Sequence, residues 1–141
     1  MSNSICPWIG VDLDGTLAYY DKWVQWDSIG KVIEPMKARI LKWLESGRDV
    51  RIFTARVAYV EDTCYVTGQK FSRADMVAVV QKWLIENGLP ALEITHEKNH
   101  QMIELWDDRA VQVVPNTGRT LAEEYAAERS ALSQKAYGDR G

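Results

Sequence analysis

Histidine, phenylalanine and cysteine each occur only twice in these 141 residues, and proline four times. The two cysteines, Cys6 and Cys64, lie far apart without CxxC spacing, so there is no cysteine pattern on which to build a redox or zinc motif. The expectation is a reduced, cytoplasmic protein. The N-terminus lacks the positive and then apolar pattern of a signal peptide, and no apolar run approaches the ~20 residues of a spanning helix. A soluble chain with no membrane partner is expected. Excess positive charge is missing too: 17 Lys and Arg against 20 Asp and Glu leave a net charge of −3 and a pI near 5.4. That excludes a broad basic field for bulk nucleic acid or anionic lipid, though not a local phosphate site. Internal repeats, low-complexity tracts and linkers are also absent. What is present is 46% apolar residues in a chain of single-domain length, enough for one core over residues 1–141.

Short apolar runs alternate with helical periodicity. Trp8–Val11 reads as a buried strand ending at Asp12-Leu13-Asp14-Gly15-Thr16. Residues 18–34, rich in Tyr, Trp and charge without a period, read as a loop or hairpin projecting from a sheet. After Pro35, Met36, Ile40, Trp43 and Leu44 recur at helical spacing and Gly47 stops the helix. Val50–Phe53 is a second strand, residues 55–71 read as polar and irregular, and Ser72 with Asp75 caps a helix whose apolar face is Met76, Val80, Trp83 and Leu84. Leu92–Thr95 and Met102–Trp106 are a third and a fourth strand, with a last apolar stretch at Val111–Val114. Thr120 and Glu123 open a terminal helix, reckoned over residues 119–141 beyond a core of about 5–118, with a thin apolar stripe of Leu121, Tyr125 and Leu132. Strands alternating with helices predict an α/β fold: a single-domain, three-layer, Rossmann-like arrangement, its mostly parallel sheet covered by helices on both faces.

In such a sheet, ligands gather beyond the carboxyl ends of the strands. Those ends carry Asp12 and Asp14, Thr54, Lys98, and Asp107 with Asp108. Asp12 and Asp14, two apart in extended chain, can point the same way; Gly15 lets backbone approach a phosphate and Thr16 offers a hydroxyl. Two carboxylates ~4 Å apart repel by ~4 kcal/mol at an effective dielectric of 20, which calls for a cation. Mg²⁺ accepts one or two carboxylates and keeps its remaining sites for phosphate oxygens and water, which suits Asp12, Asp108 and the backbone carbonyl of Asp14.

Asp-Leu-Asp-Gly-Thr after an apolar strand, Phe-Thr-Ala-Arg, a later Lys, and Leu-Trp-Asp-Asp together resemble the four motifs of the haloacid-dehalogenase-like superfamily, over residues 8 to about 114. The resemblance implies a Mg²⁺-dependent phosphohydrolase acting on a phosphate monoester. Asp12 would be its nucleophile, Asp14 its general acid and base, Thr54 and Lys98 its phosphate holders, and Asp108 supported by Asp107 its metal ligands. An acid at the position of Asp14 favours phosphate-ester hydrolysis within the superfamily, and negative charge from Asp12 and substrate would push its pKa up. Neither gap is long enough for a sizeable cap, so a small capless member is expected, with residues 18–34 and 55–71 as flaps. Ala55 and Arg56 follow Thr54; Arg56 reads equally as a bidentate phosphate contact or as a surface residue. The expected partner is a phosphorylated small molecule or nucleotide. Asp107–Val114 and Thr54–Arg56 also look similar to the polynucleotide 3′-phosphatase branch, which leaves a nucleic-acid end as the alternative substrate, and a homo-oligomer stays open.

Two other patterns compete. An EF-hand loop also starts Asp-x-Asp but needs Gly and Glu where Leu17 and Trp23 stand. His96-Glu97-Lys98-Asn99-His100 satisfies the zinc-peptidase pattern HExxH, which requires a helix, yet only six residues separate Thr95 from Met102. Tyr19, Tyr20, Trp23 and Trp26 can either stack on a base or sugar or pack the flap onto the sheet, the latter being favoured by the burial energy of aromatics. Trp8, Trp43, Trp83 and Trp106 fall on strands or apolar helix faces and are expected in the core.

Overall fold

The computed structural model describes residues 6–138. The chain is α/β: β1 (Trp8–Val11), α1 (Glu34–Glu45), β2 (Asp49–Phe53), a 3-10 turn (Ala55–Val57), β3 (Glu61–Thr63), β4 (Lys70–Ser72), α2 (Arg73–Glu86), β5 (Ile94–Thr95), β6 (Met102–Trp106) and α3 (Leu121–Gly138). Two compact units divide it, Met1–Asp108 and Arg109–Gly141. Among the described residues no helix is long and apolar enough to cross a membrane.

In the first unit a four-stranded sheet has the order β5-β2-β1-β6, with every neighbouring pair parallel. All four residues of β1 are buried, as a strand flanked on both sides requires. The steps β1–α1–β2 and β2–α2–β5 run in the same direction, so right-handed crossovers put both helices on one face. The packing agrees: Ile9, Val11, Val50 and Ile52 share one cluster with Met36 and Ile40 of α1 and with Met76, Val80 and Leu84 of α2. The return from β5 to β6, residues 96–101, contains no helix. Trp8, on the other face, is buried by different means. Its indole donates to Asn99 at 2.9 Å, and the Arg51 guanidinium lies 4.6 Å from its ring centroid. Of the other tryptophans expected in the core, Trp83 is buried, and Trp43 meets Trp106 edge to face at 5.2 Å, both partly buried.

Several elements differ from expectation. β5 is only two residues long. Leu92 spends its N–H on Pro90 in a turn, although Glu93 already accepts from Ile52. Residues 55–71 are not irregular throughout: after the 3-10 turn, β3 and β4 pair antiparallel, closed by the Cys64 N–H to Gln69 bond. The sequence hid β3 because all three of its residues are exposed and show no alternation. α2 starts with the expected capping box, Ser72 and Asp75 exchanging bonds of 3.0 and 2.8 Å.

In the second unit, Val111–Val114 forms only an isolated bridge, Val113 with Thr120. Thr120 and Glu123 cap α3 reciprocally at 3.1 and 3.2 Å, and Arg119 pairs with Glu124 at 3.0 Å. Tyr125 and Leu132 are exposed, so the stripe is as thin as its spacing suggested.

Candidate functional site

The loop after β1 owes its shape to an inside-outside alternation. Leu13 and Leu17 are fully buried, and the Leu13 carbonyl accepts from the amides of both Leu17 and Ala18. Anchored there, the chain presents Asp12, Asp14 and Thr16 outward. The Asp12 amide donates to the Trp106 carbonyl at 2.8 Å, so the end of β1 is tied to the end of β6 and Asp107-Asp108 emerges beside Asp12. Gly15 sits at φ +93°, and a Cβ there would fall 2.5 Å from the Asp108 carboxylate. Only glycine allows both that backbone and that approach.

Asp12, Asp107 and Asp108 each offer a carboxylate oxygen within 4.8 Å of the others. The Thr16 hydroxyl braces the group: it accepts from the Asp108 amide at 3.0 Å and lies 3.2 Å from Asp108 Oδ1 and 3.4 Å from Asp12 Oδ2. Burial pushes the Asp12 pKa up to about 7, helped by a hydrogen bond with Asp108 and by the charges of Asp107 and Asp108; a bond from the Leu13 amide works against this. Three crowded hard-oxygen donors, one of them driven towards its neutral form, are the chemistry that a hard divalent cation relieves. The Asp14 side chain is not in this group, so Asp14 has only its backbone carbonyl to offer a cation there.

Asp14 instead faces Arg56. Arg56 Nε donates to Asp14 Oδ2 at 2.6 Å and Nη2 to Oδ1 at 2.8 Å, a bidentate pair in which the arginine side chain is 5% exposed. The remaining donors reach into the first flap: Nη1 to the Trp26 carbonyl at 3.0 Å and Nη2 to the Ser28 carbonyl at 2.8 Å, with the guanidinium 4.8 Å from the Trp23 ring centroid. Arg56 is therefore neither a surface residue nor a fork open to phosphate. The negative neighbours expected around Asp14 are found around Asp12, while Asp14 has a guanidinium.

The flap over residues 18–34 is closed at its neck by the Ala18–Val32 bridge and the Tyr19 N–H to Lys31 bond. It leans on the second flap: Trp26 stacks on Phe71 of β4 at 4.7 Å and 7°, and its indole lies 3.3 Å from Gln69 Oε1. Sequence spacing carried no signal for this contact between flaps or for the grip of Arg56 on both Asp14 and the flap backbone.

Thr54 is buried at the end of β2, where its hydroxyl oxygen accepts from the Arg56 amide at 3.2 Å and starts the 3-10 turn at Ala55. Lys98 lies exposed in the loop after β5, on the same rim but at the far side of the sheet order from β6. His96 to His100 is not helical, so HExxH lacks the helix that would align its histidines; His96 instead pairs with the adjacent Glu97 at 3.5 Å. Comparison of the chain with protein-family models, with curated proteins and with solved structures finds no match.

Proposed function

We propose that the protein is a Mg²⁺-dependent phosphomonoester hydrolase working through an aspartyl-phosphate on Asp12. The observation that carries this reading is the split environment of two carboxylates two residues apart. Asp12 is crowded by acids, and Asp14 is held by an arginine. Asp12, Asp107, Asp108 and the Asp14 carbonyl would hold the cation, which when bound neutralises charge on the acids and the phosphate.

In the first step a carboxylate oxygen of Asp12 forms a bond to phosphorus while the ester P–O bond breaks, and Asp14 gives its proton to the departing oxygen. In the second, Asp14 takes a proton from water, which attacks phosphorus and releases phosphate and Asp12. Arg56 orients Asp14 throughout and must free one of its oxygens for the proton to pass. Thr54 and Lys98 are the candidates for holding the phosphate oxygens, whereas the Gly15 and Thr16 amides expected there already donate to the Ala18 and Leu13 carbonyls. The three-layer Rossmann-like arrangement, which needs a helix on the sheet face opposite α1 and α2, belongs to the same proposal. So do the resemblance to the haloacid-dehalogenase-like superfamily and a cytoplasmic setting.

The test uses an activated aryl phosphate, rapid quench and intact mass. Wild type turns over with Mg²⁺ and stops with EDTA. Asp12→Asn gives no turnover and no adduct, whereas Asp14→Asn accumulates an adduct of about 80 Da because no base remains to deprotonate water. Activity in Asp12→Asn, or an adduct that maps elsewhere, refutes the mechanism.

A further inference from the structure

A pocket enclosing about 110 Å³ opens beside Asp14 and Arg56, its other walls formed by Tyr19, Tyr20 and Trp23 of the first flap. Asp14 lines it and Asp12 does not, so an ester whose phosphorus sits at Asp12 has its organic part on the Asp14 side, towards this pocket. We propose that the pocket seats the base of a nucleoside monophosphate, a substrate class that rests on the phosphatase reading above.

The flap aromatics separate into two groups. Trp26 is buried on Phe71, and Trp23 lies against Arg56, as packing alone would have it. Tyr19 and Tyr20 are 62% and 38% exposed, so burial does not account for them. They offer ring faces at a site where every nucleobase has a face to stack. Asp21 and Lys22 also line the pocket and supply an acceptor and a donor for the polar edge of a base, which a plain hydrocarbon ring would leave unused.

The pocket is built in advance. Trp83 donates to the Gly30 carbonyl at 3.0 Å, and a Cβ on Gly30 would lie 2.0 Å from the Tyr19 carbonyl oxygen, so the flap neck closes this tightly only with glycine there. Its volume is below the ~300–1,000 Å³ of sites that enclose a whole drug-sized ligand, so it takes one ring system and leaves the phosphate outside, towards Asp12.

The experiment compares kcat/KM for adenosine 5′-monophosphate, benzyl phosphate and glycerol 2-phosphate, all with alkoxide leaving groups. The monophosphate is expected to exceed glycerol 2-phosphate roughly tenfold or more, the scale of one base–aromatic stack, and to exceed benzyl phosphate. Tyr19→Ala with Tyr20→Ala should reduce the first ratio towards one. The wild-type ratios decide the matter even if that variant folds poorly. Benzyl phosphate at or above the monophosphate overturns the nucleoside assignment. Equal rates for the monophosphate and glycerol 2-phosphate, or a ratio unchanged in a folded variant, overturn the pocket. No turnover of any ester overturns the phosphatase reading itself.

Discussion

Removing the Arg56 side chain tests the electrostatic frame of the site directly. Arg56→Ala deletes both bonds to Asp14 and the bonds to the Trp26 and Ser28 carbonyls, and takes away the cation against Trp23. The pair is largely withdrawn from water, with side-chain exposures of 5% and 20%, so Asp14 is left as a poorly solvated charge. Breaking such a pair from one side costs about 3–5 kcal/mol, and the two stranded carbonyls keep the estimate at the upper end. Against a total stability of ~5–15 kcal/mol this is a large fraction. With a urea m-value of ~1–3 kcal/mol/M the midpoint should fall by roughly 1–5 M, followed by far-UV circular dichroism. Arg56→Lys keeps the charge but not the planar fork, and should recover only part of the loss. A double-mutant cycle with Asp14→Ala isolates the pair: the two losses should overlap, with a coupling well beyond ~0.5 kcal/mol. A midpoint within ~0.3 M of wild type, or strictly additive losses, would refute the claim that Arg56 fastens Asp14 and the flap together.

Gly15→Ala introduces a Cβ 2.5 Å from the Asp108 carboxylate at a residue with φ +93°; it should cost more than about 1 kcal/mol and weaken Mg²⁺ binding, read as the dependence of the melting temperature on Mg²⁺ concentration. An unchanged Mg²⁺ response would remove Asp108 from the cation site. The raised pKa of Asp12, about 7 when folded against ~3.9 unfolded, predicts the sign of a pH effect. In EDTA the folded state binds more protons than the unfolded between about pH 4 and 7, so the Asp12 contribution to stability falls as pH rises through that window and levels off above it. The difference between wild type and Asp12→Asn in urea midpoint from pH 4 to 8 measures this, and a difference that grows in favour of wild type with rising pH would contradict it.

Much of the fold was legible because its signals are local. β1, β6, α1, α2 and α3 declare themselves through apolar runs, helical spacing, Pro35 and the Ser72 and Thr120 caps. The hairpin of β3 and β4 was not, since three exposed polar residues in extended chain look like loop. Helices on both faces were expected from alternation alone. Alternation does not say which way each crossover steps, and here α1 and α2 step the same way. At the site, the residue types and their convergence on one rim could be read from motif order; partnerships could not. Sequence placed Arg56 beside Thr54 but carried no information on whether its guanidinium would meet a phosphate, solvent or Asp14, because that depends on the flap folding back over 30 residues.

The two acids of the first loop show why partnership matters more than spacing. In an extended segment they share a direction, and by sequence alone either could ionise first. Leu13, buried between them, sets them on opposite sides of an electrostatic divide, with Asp107 and Asp108 on one side and Arg56 on the other. In the reaction proposed above the nucleophile needs its carboxylate available, and a cation beside Asp12 would offset the acids around it. The acid and base of the proposed reaction needs fixed geometry, and the bidentate grip on Asp14 supplies it. Arg56 also holds the carbonyls of Trp26 and Ser28, so any movement of the flap when its pocket fills acts on the same guanidinium that holds Asp14.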